Sequence, residues 1–178
     1  MGTWGFGVFD DDFTLDIKDY YLLFKEEGVS VNQAVSRIKR IYSDIMNDEG
    51  LSPDLEPLFY IGLAATQQEC NELVEEIKNK AIEHITLGTG LERWRNAGLI
   101  SHLRRKSELK KLKKQLMKSE CITDSSIVDE VDLNSGRFDP SNQRYSVYEI
   151  TFPTGKKLIG NTVHLERRGK HFEKYPLK

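Results

Sequence analysis

Apolar positions recur at helical spacing through the first two thirds of the chain. Phe13, Ile17, Tyr20, Tyr21 and Phe24, widened by Leu22 and Leu23, predict a helix from Phe13 to Glu27. Asp11 or Asp12 is placed to cap it, the acidic first turn suits the positive end of the helix dipole, and Gly28 supplies a stop. Ser30 and Gln33 form an S-x-x-Q capping box for a second helix. Its stripe of Val31, Ala34, Val35, Ile38, Ile41, Tyr42 and Ile45 is the cleanest helical pattern in the chain, opposite Arg37, Lys39, Arg40 and Asp44. Asn47 to Pro53 reads as an acidic loop.

A third helix starts near Pro57, where proline is tolerated in a first turn. From Leu58 to Ala65 it is apolar on nearly every side, which predicts the central, most buried helix. A fourth runs from Asn71 to Thr86, with Leu73, Val74, Ile77, Ala81, Ile82 and Ile85 inward and Gly88 and Gly90 at its end. A short turn, Leu91 to Ala97, carries Trp94 and leads past Gly98 into a last helix from Ile100 to Lys118. Its apolar content is narrow, Leu103, Leu109, Leu112 and Leu116, and lysine and arginine make up most of the rest.

Composition changes after that helix. Ser119 to Gln143 is rich in Ser, Asp and Asn and reads as a polar linker with one short strand at Ile127 to Val131. Arg144 to Phe152 and Lys157 to Leu165 are rich in Tyr, Val, Ile and Thr and flank the turn signal Pro153-Thr154-Gly155, which predicts a β-hairpin. The expected fold is mainly α: a helical domain of five or six helices over residues 1–118, a linker over 119–143, and a small C-terminal β-hairpin module with a basic tail over 144–178, α+β overall.

With 178 residues the chain can bury a core without disulfides or metals. Nowhere does an apolar run approach the roughly 20 residues of a membrane helix, and the N-terminus lacks a basic region followed by an apolar stretch, so neither a membrane partner nor a secretory signal is expected. Cys70 and Cys121 fall in unrelated contexts and suggest reduced thiols in a cytosol.

The net charge of −2 hides a segregation. Residues 1–60 carry net −7, residues 61–98 net −2, residues 99–120 net +6, residues 121–142 net −4 and residues 143–178 net +5. Such blocks either attract one another or present charged faces to partners.

The opening stretch interleaves Gly2, Gly5 and Gly7 with Trp4, Phe6 and Phe9 and continues into Asp10, Asp11, Asp12 and Asp16. Here the chain resembles a family of uncharacterised bacterial proteins whose members begin Met-Gly-x-Trp-Gly-x-Gly-x-Phe-x-x-Asp-x-x-x-Asp. The match falls on Met1, Gly2, Trp4, Gly5, Gly7, Phe9, Asp12 and Asp16, and continues at Leu63-Ala64-Ala65-Thr66-Gln67 and Leu91-Glu92-Arg93-Trp94. It covers residues 1–118. The resemblance implies an all-helical fold with no established activity, cofactor or catalytic residues, and an association with the small partner proteins of bacterial toxin systems.

Candidate chemistry is sparse. Asp12 and Asp16 share a helix face and are weak candidates for a hard-cation site, against the plainer role of capping and of hydrogen bonding to the glycine-rich backbone. The glycines fit neither G-x-G-x-x-G after a strand nor a P-loop, so a packed plug anchored by Trp4 and Phe9 is the better reading. His84, His102, His164 and His171 lack metal spacing, and no serine or cysteine stands in a nucleophile motif, so no catalytic residue and no cofactor is assigned.

The basic helix carries the best functional signal. Arg104, Arg105, Lys110, Lys111, Lys113 and Lys114, with Lys106, cover most of its circumference and are the possible partner-binding residues. The duller expectation is that these charges face the acidic N-terminal half. The chain is read as a non-enzymatic cytosolic protein-binding module, in concrete form an immunity-type protein that neutralises a toxin. The alternatives are a nucleic-acid-binding protein using residues 103–118 and a metal-dependent enzyme using the N-terminal Asp cluster.

Overall fold

Asp11 starts the first helix. Its backbone is extended, and its carboxylate accepts the amides of Phe13 at 3.0 Å and Thr14 at 3.2 Å, two of the donors a helix start leaves without partners. In the computed structural model, which describes residues 5–45, 55–122, 146–151 and 157–162, α1 spans Asp12–Glu26, α2 Val31–Ile45, α3 Glu56–Glu69, α4 Glu75–Leu87, α5 Glu92–Asn96 and α6 Leu99–Lys118. The protein is thus mainly helical with six helices in this part of the chain, as the periodicity predicts. Strands β1, Ser146–Thr151, and β2, Lys157–Thr162, pair antiparallel with Ser146 opposite Thr162 and Thr151 opposite Lys157. The turn signal Pro153-Thr154-Gly155, the strand expected at Ile127 to Val131, the basic tail and the anchor Trp4 lie outside the described residues.

The core forms where α1, α2 and α3 meet. Tyr42 sits at its centre, with ring centroids 4.7 Å from Phe13, 6.2 Å from Tyr20 and 6.2 Å from Phe59, each pair edge-on. Edge-to-face rings add about 0.5–1.5 kcal/mol per pair beyond the area they bury. From Pro57 to Gln67 every α3 residue except Tyr60 is buried, so α3 is the central helix that its all-round apolar sequence requires. Gly62 makes the α1 contact possible: a Cβ there would stand 3.2 Å from Thr14 Cβ. The outer helices bury less. The inward positions of α4 are Ile77 and Ala81, and α6 lays Leu109, Leu112 and Leu116 inward.

One local expectation is corrected. The fourth helix does not begin at Asn71. Asn71 adopts φ +57°, its amide and that of Glu72 return to Gln68 and Gln67, and Gln67 Oε1 accepts the Val74 amide at 3.1 Å. An asparagine tolerates this left-handed turn, which closes α3 and delays α4 to Glu75, with Leu73 still buried in the extended link. In α6, Leu103 does not share the buried face of Leu109, Leu112 and Leu116 and is 55% exposed. The inward place belongs to Arg105, which precedes Leu109, Leu112 and Leu116 by four, seven and eleven residues on one face and is fully buried.

Candidate functional site

The N-terminal loop that precedes α1 is clamped by side chains from far along the chain. Arg105 Nη1 donates to the carbonyl of Phe6 at 3.3 Å and to that of Gly7. Its guanidinium lies 4.1 Å from the ring centre of Trp94, and Trp94 Nε1 donates to the Gly5 carbonyl at 2.9 Å. Arg104 stacks on Phe6 at 5.3 Å, while Lys18 stands 4.2 Å over the Phe9 ring. Within the loop, Asp10 accepts the Gly7 amide at 2.8 Å, and a Cβ on Gly5 would collide with that carboxylate. Gly5, Gly7 and Phe9 therefore form a pinned plug. Arg105, proposed from sequence as a partner-binding cation, is withdrawn from that role because its side chain is buried beneath the plug.

The acidic cluster is interior as well. Asp11, Asp12, Asp16 and Asp19 are all buried, and each is engaged by its neighbours. Buried carboxylates persist only when such contacts replace water. Among the described residues no three His, Cys, Asp or Glu side chains are grouped to hold a metal ion, so Asp12 and Asp16 gather no further ligands there.

The remaining titratable groups act as staples. Tyr21, buried on α1, donates to Glu72 at 3.1 Å, and Lys25 reaches the same carboxylate at 2.6 Å. Burial, and then the Glu72 charge, push the Tyr21 phenol far above its ordinary value, and the hydrogen bond to Glu72 raises the Lys25 ammonium. Burial also raises the Cys70 thiol, the opposite of what a reactive thiolate needs. His84 stacks on Tyr60 with centroids 5.8 Å apart, its Nδ1 lies 3.0 Å from Thr89 Oγ1, and burial lowers its pKa. A cleft of about 470 Å³ opens between the plug, α3 and α6. Its two carboxylates, Glu69 and Glu108, are bonded to Lys18 at 2.5 Å and to Lys111 at 2.7 Å.

What remains is the outer face of α6. Its sequence holds eight basic side chains and one acidic, Glu108. Lys113 leans on the Thr86 hydroxyl at 2.8 Å, and Lys111 pairs with Glu108 one turn away. Lys106, Lys110, Lys114 and Lys118 are exposed and have no ion-pair partner among the described residues. They stand four residues apart, about 6 Å of rise per step and about 18 Å in all. At the other end of the helix Leu99, Ile100 and Leu103 are 73%, 70% and 55% exposed.

The expectation that the basic helix faces the acidic half therefore holds for Arg104 and Arg105, which turn to the N-terminal segment. The ladder turns away. Glu69 of α3, Glu72 of the link and Glu76 of α4 pair instead with Lys18, Lys25 and Lys39 of α1 and α2. Like charges at i, i+4 weaken an exposed helix by about 0.2–0.5 kcal/mol per pair, so the ladder opposes the fold it sits on. Of the six cations named from sequence, Lys110, Lys111 and Lys114 lie on this face, while Arg104 and Lys113 contact other elements. Lys118, Leu99 and Ile100 were missed; the four-residue spacing of the lysines was the available signal. Comparisons with protein families, curated proteins and solved structures find no match for this chain. No helix among the described residues is long and apolar enough to cross a membrane.

Proposed function

We propose that this chain is a non-enzymatic, cytosolic protein-binding module that engages an acidic protein surface with the outer face of α6. The observation behind the reading is the row of exposed lysines, Lys106, Lys110, Lys114 and Lys118, which has no ion pair among the described residues and whose like charges cost that helix stability. Complementary charge speeds encounter and sets the choice of partner. In its concrete form the module is of immunity type and neutralises a toxin, in line with the resemblance carried by Gly5, Gly7, Phe9, Asp12 and Asp16. Residues 1–118 form the binding domain, 119–143 a linker and 144–178 a small β-hairpin module whose free edge adds to a partner's sheet. Affinity capture with the full chain from its native host tests this: one stoichiometric acidic protein is expected, and recovery of none counts against it.

A second reading, nucleic-acid binding through residues 103–118, draws on the same regular row of cations, since phosphates form an equally regular array. It gains nothing from Leu99, Ile100 and Leu103, and no aromatic side chain stands among the lysines to stack on bases. The metal-dependent enzyme has no comparable support, because Asp12 and Asp16 are buried without a ligand group around them among the described residues.

A further inference from the structure

The proposed docking surface has two unlike ends, and together they narrow the partner. The first turn of α6 is apolar and open to solvent at Leu99, Ile100 and Leu103. The remaining turns carry lysines at every fourth position along the outside. Resting on the protein-binding reading above, we infer that the outer face of α6 receives an acidic amphipathic helix of the partner. Leu99, Ile100 and Leu103 seat the apolar end of that helix, and the lysine ladder faces a row of its carboxylates.

Spacing supports a helix rather than an irregular acidic loop. Carboxylates at i, i+4 on a second helix recur at about the same 6 Å rise as the lysines, and such rows align when two helices cross, so successive pairs register around the crossing. The apolar end supports a protein rather than a nucleic acid. Phosphates repay only the cations, and exposed leucine and isoleucine gain nothing beside them, whereas an apolar contact with a charged surround is how protein interfaces concentrate binding energy. Charge rules out a second copy on this face, because two lysine ladders laid together repel.

The full chain is titrated, by fluorescence anisotropy, against a labelled helical peptide about 20 residues long with Glu at every fourth position and three leucines at one end. A Glu→Gln version of the peptide and a duplex of about 20 base pairs serve as comparisons. The acidic peptide is expected to bind at least about tenfold more tightly than its Gln version and to weaken steeply with salt. K110E/K114E abolishes that preference, whereas the conservative K110R/K114R keeps it, and L103S weakens binding about threefold to tenfold. All three alter exposed side chains, so circular dichroism of each variant matches the parent. Equal binding of the two peptides overturns the inference, as does indifference to L103S or tighter binding of the duplex with no effect of L103S. If host capture yields an acidic protein that K110E/K114E releases while the peptide fails, the helical form of the partner is wrong and the protein-binding reading stands. If capture yields nothing that depends on α6, the reading beneath it fails as well.

Discussion

The guanidinium of Arg105 lies 4.1 Å from the ring centre of Trp94, and from there it bonds the carbonyls of Phe6 and Gly7. Nearly a hundred residues separate the two ends of this contact, so the helix most loaded with cations uses one of them to close the core over the start of the chain. Two consequences follow for the same helix: one arginine belongs to the fold, and Lys106, Lys110, Lys114 and Lys118 are left to solvent.

Replacing Arg105 with methionine keeps an unbranched side chain in the buried site but removes the cation over Trp94 and leaves the loop carbonyls without their donor. Hydrogen bonds to charged groups contribute about 1.5–3 kcal/mol each, so R105M should lower unfolding stability by about 3 kcal/mol in a urea titration. K110M, on the exposed row, should stay within about 0.5 kcal/mol of the parent. Equal effects of the two substitutions would mean that the clamp is not what holds the N-terminal loop.

Gly62 and Thr14 make a second, tighter test. A Cβ at position 62 meets Thr14 Cβ at 3.2 Å and Cγ2 at 3.3 Å. Overpacking of this kind costs about 1–3 kcal/mol, and G62A should show it as a lower denaturation midpoint. T14S removes the methyl while keeping the hydroxyl that bonds the Val8 carbonyl at 2.7 Å. The double variant should therefore be more stable than the sum of the two single losses; strict additivity would show that α1 and α3 have room to spare.

How much of this was legible in the sequence depended on how local the signal was. Asp11 as a cap, Ser30 before α2, Pro57 in the first turn of α3 and Gly88 at the end of α4 act within one helical turn, and each could be read directly. Asn71 is as local, its amide and that of Glu72 returning to Gln68 and Gln67, but the left-handed stop rests on an asparagine inside an otherwise helical pattern rather than on the glycine that usually announces one. Arg105 was misread for a different reason. Its phase matches Leu109, Leu112 and Leu116, but a charged residue on an apolar stripe is taken for an interruption unless a distant loop is known to receive it.

His84 gives the fold a pH dependence near neutrality. Burial lowers its pKa below the ordinary value of about 6.5, so as pH falls the unfolded chain takes up the proton first. Stability is therefore complete above about pH 6.5 and declines as pH falls through the window between that value and the lower folded one. The difference in unfolding free energy between the parent and H84Q, measured from pH 7.5 down to pH 5, should shrink as pH falls. A constant difference would show that the ring is as well hydrated in the folded protein as in the unfolded chain.

Whether α6 is a docking surface is decided most directly by the captured partner itself. Its affinity for the parent and for K110E/K114E, each measured at low and at physiological salt, should differ at least about tenfold, with a flatter salt dependence for the variant. Equal affinities and equal salt slopes would place the contact elsewhere on the protein and leave the lysine row without a role in binding.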